Sequence, residues 1–66
     1  MKDTKLTPAQ TVRILRIQQT GLSQAAFADQ YQIPKRTIEN WESGKTTPPP
    51  YVLAMLTAII MNRITY

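Results

Sequence analysis

The residues best suited to chemistry in this chain are four polar side chains in its middle, Lys35, Arg36, Glu39 and Asn40. Their spacing is such that one helix would present all four on the same side. Arginine and lysine match the acceptor edge of guanine, asparagine can pair with adenine, and glutamate can accept from cytosine or repel wrong contacts. A second interpretation of Lys35 and Arg36 is general contact with phosphate. Under both interpretations these side chains bind a polar, anionic surface and do not catalyse a reaction.

Groups that could perform catalysis are scarce. The 66 residues include no histidine and no cysteine, which removes the commonest general base, the commonest metal ligand and any disulfide. Glu39 and Glu42 lie three residues apart, but neither a partner base nor a metal-binding cluster accompanies them. We therefore expect no enzymatic activity, no metal and no cofactor.

Two short helices joined by a tight turn would hold the four polar side chains in place. They are predicted at about 23–31 and 34–43, because apolar residues recur at helical spacing within each stretch. Pro34 disfavours a helical residue before it and suits the first turn of the second helix. With Ile38 and Trp41 facing inward, the polar face of the second helix points outward, as insertion into a major groove requires. The predicted core of this pair is Phe27, Ala28, Tyr31, Ile33, Ile38 and Trp41.

The same stretch resembles the helix-turn-helix of the phage repressor and Cro family. One position departs from the family pattern, because Gln32 stands where the turn usually has glycine. If this residue adopts a left-handed conformation, its side chain costs on the order of 1 kcal/mol. The resemblance covers Gly21 to about Leu56 and is carried by Leu22-Ser23-Gln24, Phe27-Ala28, Tyr31, Ile33 to Ile38, and Asn40 to Lys45.

This resemblance implies an all-α fold and roles for individual residues at a DNA duplex. The four polar side chains named first would contact bases in the major groove. Gln24, at the start of the first helix of the motif, would donate to a phosphate, and the alternative is an ordinary surface glutamine. The loop after the second helix would lay backbone amides along the phosphates, with Lys45 contributing to the salt dependence. The expected phosphate contacts are Gln24, Thr37, Ser43, Lys45, Thr46 and Thr47.

A helix before the motif is predicted to begin at Thr7, because Thr7-Pro8-Ala9-Gln10 has the pattern of a capping box, and to end at Gly21. Arg13 and Arg16 have two interpretations. They form a solvated face, or, as the resemblance implies, Arg16 pairs with Glu42. The stretch from Arg16 to Gly21 is one residue longer than the family usually has. The stripe predicted as core comprises Val12, Ile14, Leu15, Ile17 and Gln19.

A last helix is predicted at about 49–63, where three prolines set its start. It is apolar over more than one face and therefore needs two partners. One would be the core of the motif. The other would be the same helix of a second chain, because two-fold DNA sites are common for such proteins; the alternative is that these residues cover the first helix. The candidate dimer surface is Ile60, Met61, Ile64 and Tyr66.

These elements together predict one all-α domain at 7–66, a compact bundle of four to five short helices, after a flexible arm at 1–6. The net charge of +4 favours an anionic partner. This support is weak, because basic and acidic residues balance between 21 and 50. Neither a signal peptide nor a membrane span is visible. We expect a cytoplasmic protein of a prokaryote or a phage.

The function expected from these observations is sequence-specific binding of double-stranded DNA, as a transcriptional regulator that acts by occlusion, as a repressor does, or by positioning beside a promoter. Three alternatives stay open. The first is an antitoxin-like or adaptor module that uses the same fold against a protein partner. The second is a DNA-architectural or excision role, which would show as DNA bending with little sequence preference. The third, RNA binding, is disfavoured because no exposed aromatic platform is evident.

Overall fold

The computed structural model describes residues 6–62. They form four α-helices and one π-helical segment, without a strand among them, which confirms the predicted all-α class. Of the predicted arm at 1–6, all but Leu6 lies outside the described residues, and so do Ile64 and Tyr66 of the candidate dimer surface. The elements are α1 (Pro8–Ile14), the π-helical segment (Leu15–Thr20), α2 (Gln24–Gln30), α3 (Lys35–Ser43) and α4 (Pro50–Asn62).

The start of α1 follows from its first four residues. The backbone N–H of Gln10 donates to Thr7 Oγ1 at 3.1 Å, and the backbone N–H of Thr7 donates to Gln10 Oε1 at 2.9 Å. Both halves of the predicted capping box are therefore present, with Pro8 at a position where no amide hydrogen is needed.

A wider helical turn lies between Arg16 and Gly21, the stretch that the resemblance marked as one residue longer than usual. The backbone N–H of Gly21 donates to the carbonyl of Arg16, five residues earlier, at 2.8 Å, as in a π-helix. Within this segment, two residues predicted as core face solvent. Ile17 is 50% exposed, and Gln19 is exposed as well. Their assignment to the core was wrong: Ile17 lies two residues after Leu15, about 200° around even a regular helix, and therefore on the side opposite this buried residue.

The turn between α2 and α3 contains the left-handed residue that the sequence suggested. Gln32 has φ 57° and is the only non-glycine residue with a positive φ in the described part of the chain. The amide of Ile33 donates to Ala28 O at 2.9 Å and the amide of Gln32 to Asp29 O at 3.3 Å, which closes α2 in the usual left-handed manner. The helix α3 then begins at Lys35. Pro34 has ψ 137° and occupies the N-cap position, just before the first helical residue. It was predicted within the first turn, one residue further along the helix.

A small core joins all helices. Its fully buried side chains include Phe27, Ile38, Val12 and Ile60, and Trp41 is 8% exposed. Ile60 is therefore a core residue at 2% exposure, and its assignment to a dimer surface was wrong. The helix α4 packs against the π-helical segment, which agrees with the alternative that α4 covers the first helical stretch. Met61 is 43% exposed.

Candidate nucleic-acid interface

The polar face of α3 points to solvent. Lys35 and Arg36 are exposed in its first turn, Glu39 is exposed one turn later, and Asn40 is half-buried beside it. The Nζ atom of Lys35 lies 3.5 Å from Oε2 of Glu39, with side-chain exposures of 57% and 46%. An ion pair so exposed contributes little to stability, and it can exchange for a contact with another molecule. The four predicted base-contacting residues thus share one accessible surface.

Packing on the opposite side fixes the orientation of this surface. Ile38 is fully buried, and Trp41 and Glu42 are 8% and 5% exposed. Since α1 and α2 both pack against α3, rotation of α3 about its axis would expose all three of these side chains.

The C-terminal end of α3 uses backbone groups that the resemblance assigned to phosphate contacts. Gly44 has φ 84°, and the amide of Lys45 donates to Asn40 O at 2.9 Å, with the amide of Thr46 at 3.3 Å from the same oxygen. The hydroxyl of Ser43 also donates to Asn40 O, at 3.1 Å. In this structure the amides of Lys45 and Thr46 therefore close the helix. The side chains of Lys45, Thr46 and Thr47 are exposed to solvent. Thr37, the predicted phosphate contact near the start of α3, is half-buried.

Glu42 sits at the centre of a buried polar cluster behind the interface. Its Oε2 accepts from Arg16 Nε at 2.6 Å, and its Oε1 accepts from Arg16 Nη2 at 3.0 Å. The Nε2 atom of Gln24 donates to the same Oε1 at 3.1 Å. The pair that the resemblance implied for Arg16 is present, and it is bidentate. The hydrogen bond from Gln24 was not foreseen, because it depends on how α2 docks against α3.

Two further contacts tie the first helical stretch to the motif. Arg16 Nη1 donates to the carbonyl oxygen of Leu22 at 3.0 Å, just before α2. Arg13 Nη2 donates to the carbonyl oxygen of Glu42 at 2.8 Å, in the last turn of α3. Neither arginine is thus merely part of a solvated face. The sequence signal for Arg13 was its position one turn before Arg16, on the same side of the helix.

Burial and hydrogen bonding act in opposite directions on the ionisation of Glu42. Burial raises the pKa of its carboxyl group, but the hydrogen bonds from Arg16 and Gln24, with the charges of Arg16 and Arg13, outweigh burial and leave this pKa below its ordinary value. The hydrogen bond to Glu42 correspondingly raises the pKa of Arg16, against the effect of its own burial. Both groups are charged at neutral pH.

An apolar groove lies beside the turn of the motif. Its walls come from the turn, through Tyr31 and Ile33, and from α4. Along α4, Tyr51, Met55 and Ile59 follow each other at intervals of four residues and are 68%, 58% and 48% exposed. This interval was visible in the sequence, but the apolar character of the whole helix hid which stripe would face outward.

Other kinds of site find no support in residues 6–62. No group of acidic, histidine or cysteine side chains there could hold a metal ion. In the same part of the chain, no helix has the length and apolar character needed to cross a membrane.

The arrangement of α2, the left-handed turn and α3, with an outward polar face on α3, defines a helix-turn-helix domain. A family model described as helix-turn-helix matches residues 12–59. This match covers more than half of the chain, which therefore belongs to the helix-turn-helix family of the phage repressor and Cro type. It is a family of DNA-binding transcription regulators. No curated protein and no solved structure matched the chain.

Proposed function

We propose that this protein binds double-stranded DNA in a sequence-specific manner and represses transcription by occluding a promoter, in the cytoplasm of a prokaryotic cell. The observation that carries the proposal is the outward polar face of α3, with Lys35, Arg36 and Glu39 exposed and the opposite face fixed by Ile38 and Trp41. A helix so held fits a major groove and reads base edges through side chains of these types. Family membership supports the same function.

In this proposal Lys35, Arg36, Glu39 and Asn40 contact bases. The backbone amides of Lys45 and Thr46 already close α3, so these two residues would use their side chains. The residues that contact phosphates are Gln24, Thr37, Ser43, Lys45, Thr46 and Thr47. The protein uses no cofactor and performs no catalysis.

We further propose that two copies bind one two-fold DNA site. The exposed stripe of Tyr51, Met55 and Ile59 on α4, together with Met61 near its end, supports contact between copies through this helix. If this stripe instead receives another protein, the antitoxin-like or adaptor function gains support. Light scattering after size exclusion, over a range of protein concentrations and with or without DNA, distinguishes the two. A dimer whose formation Met55→Asp or Ile59→Asp abolishes supports the first, whereas a monomer under all conditions favours the second.

Selection of random duplex DNA on the purified protein, at near-physiological salt, tests the function directly. We expect recovery of an inverted repeat whose half-sites lie about one helical turn apart. Recovery of no motif, with only weak and salt-sensitive binding, would contradict sequence-specific recognition and favour a protein partner.

Two substitutions test the division into base and phosphate contacts. Arg36→Ala is expected to weaken binding to the selected site by about 1–3 kcal/mol and to relax preference at one base position. Lys45→Ala is expected to weaken binding to all sequences alike and to reduce the slope of log K against log salt by about one. Binding isotherms at several salt concentrations check both. Identical behaviour of the two variants would show that the groove assignment is wrong.

A further inference from the structure

Glu42 is the buried charged residue of the described chain, and it lies directly behind a residue assigned to a phosphate contact. Its side chain is 5% exposed, and that of Arg16 is 14% exposed. Oε1 of Glu42 accepts from both Arg16 and Gln24, at 3.0 and 3.1 Å, while Oε2 is held by Arg16 alone. The carboxylate therefore joins a residue of the first helical stretch to the first residue of α2.

This contact determines how the carboxamide of Gln24 is turned. An ionised carboxylate can only accept hydrogen bonds, so the nitrogen of the carboxamide, and not its oxygen, must face Glu42. The same nitrogen carries a second hydrogen, and the Gln24 residue as a whole is half-buried. A glutamine ordered before binding loses less side-chain entropy when a ligand arrives.

We propose that Glu42 is a positioning residue for DNA binding: held by Arg16, it orients Gln24 so that the second hydrogen on Nε2 is presented to a backbone phosphate. This inference rests on the proposed function, since it concerns the phosphate contact of that interface. In this proposal a negatively charged side chain, that of Glu42, supports DNA binding without touching the DNA.

The sign of one substitution separates positioning from a simple effect of charge. Glu42→Gln removes a negative charge and keeps the shape of the side chain. If Glu42 acted on DNA only through its charge, the variant would bind a polyanion more tightly. If Glu42 positions Gln24, the variant binds less tightly, because an amide at position 42 can rotate and offer Gln24 either a donor or an acceptor.

The experiment measures affinity for a fluorescent, random-sequence duplex by anisotropy, because a phosphate contact does not depend on base sequence. Gln24→Ala is expected to weaken binding about three- to tenfold, as loss of one hydrogen bond predicts. Glu42→Gln is expected to weaken it by a similar factor, and the double variant no further. The salt slope should stay unchanged in Gln24→Ala, because the lost donor is neutral.

Matched controls come from the same helix. Asp29→Asn also removes one negative charge, but Asp29 is exposed and its side chain is not part of the cluster. It should bind duplex DNA as tightly as the unaltered protein or more tightly. Gln30→Ala removes an exposed glutamine from α2 and should leave affinity unchanged.

Four outcomes would overturn the inference or the proposed function on which it rests. A folded Glu42→Gln protein that binds as tightly as the unaltered protein, or losses that add in the double variant, would refute positioning. If Glu42→Gln does not fold, the side-chain amide signals of Gln24 in the unaltered protein decide, with Gln24→Ala for their assignment. The side-chain amide signals of Gln24 should shift on addition of duplex, while those of Gln30 should not. Unshifted Gln24 signals would refute the inference. Absence of any duplex binding by the unaltered protein would instead refute the proposed function.

Discussion

Replacement of Arg16 by methionine is expected to destabilise this protein severely. Arg16 makes two hydrogen bonds to the carboxylate of Glu42 and one to the carbonyl oxygen of Leu22. Methionine keeps much of the length of the side chain but none of these donors. Glu42, 5% exposed, would be left as a buried carboxylate with Gln24 as its remaining close donor.

The magnitude follows from the burial of the pair. Removal of one partner from a buried ion pair costs about 3–5 kcal/mol. Because Arg16 is 14% exposed and water can reach the vacated site, we expect the lower end, about 3 kcal/mol. A domain of this length is stable by only about 3–10 kcal/mol in total. Arg16→Met should therefore lose a large share of its folded population.

Urea unfolding, followed by the fluorescence of Trp41 and by far-ultraviolet circular dichroism, measures this loss. Trp41 is the single tryptophan and is 8% exposed in the core. Arg13→Met is the matched control: Arg13 is exposed and makes one hydrogen bond, to the carbonyl of Glu42, so its loss should cost about 1 kcal/mol.

A compensating substitution distinguishes the unpaired charge from lost packing. Arg16→Met combined with Glu42→Leu replaces both charged groups by apolar ones, and such replacements of buried pairs are often neutral or stabilising. We expect the double variant to be more stable than Arg16→Met alone. A loss below about 1 kcal/mol in Arg16→Met, or a double variant less stable than the single one, would refute the reasoning.

Three further predictions concern stability. The pKa of Glu42 is lowered in the folded protein, so its ionised carboxylate stabilises the fold fully above the ordinary carboxyl pKa, about 4.3. This stabilisation is lost as the pH falls through the lower pKa of the folded state. Thermal unfolding from pH 7 to pH 3 should show the decline, and an unchanged melting temperature would contradict it. Gln32→Gly should stabilise by up to about 1 kcal/mol in urea by relieving the positive φ, whereas Gln30→Gly, inside α2, should destabilise. Ile60→Ala should cost about 2–5 kcal/mol and Met61→Ala under about 0.5 kcal/mol, and equal costs would argue against the burial of Ile60.

Local features of this fold could be read from the sequence, because a few adjacent residues determine them. The capping box at Thr7 depends on Thr7 and Gln10 alone, and both of its hydrogen bonds are present. The resemblance singled out Gln32 as the turn position where the family usually has glycine, and this residue has a positive φ in the structure. The core assignments of Ile38 and Trp41 rested on the regular period of one helix and were equally secure.

Features that depend on how helices dock could not be read in the same way. All sides of α4 carry apolar residues, so its sequence does not distinguish the buried pair Leu56 and Ile60 from the exposed pair Met55 and Ile59, which lies one residue away. The contact of Gln24 with Glu42 needs the crossing of α2 and α3, which no local pattern specifies. This is why the candidate phosphate contacts were predicted as a set of residues but not as a hydrogen-bonded arrangement.

The π-helical segment is best understood as a consequence of the same cluster. Arg16 donates to Glu42 and also to the carbonyl oxygen of Leu22, so these two contacts limit the distance that the chain between Arg16 and Leu22 can span. A continuous α-helix would turn the residues after Arg16 by a further step and move Leu22 away from the guanidinium. The wider turn, closed by the amide of Gly21 and the hydroxyl of Thr20 on Arg16 O at 2.8 and 2.5 Å, accommodates the extra residue instead. Within this segment Ile17 and Gln19 face solvent, and Arg16 keeps its hydrogen bonds to Glu42 and Leu22.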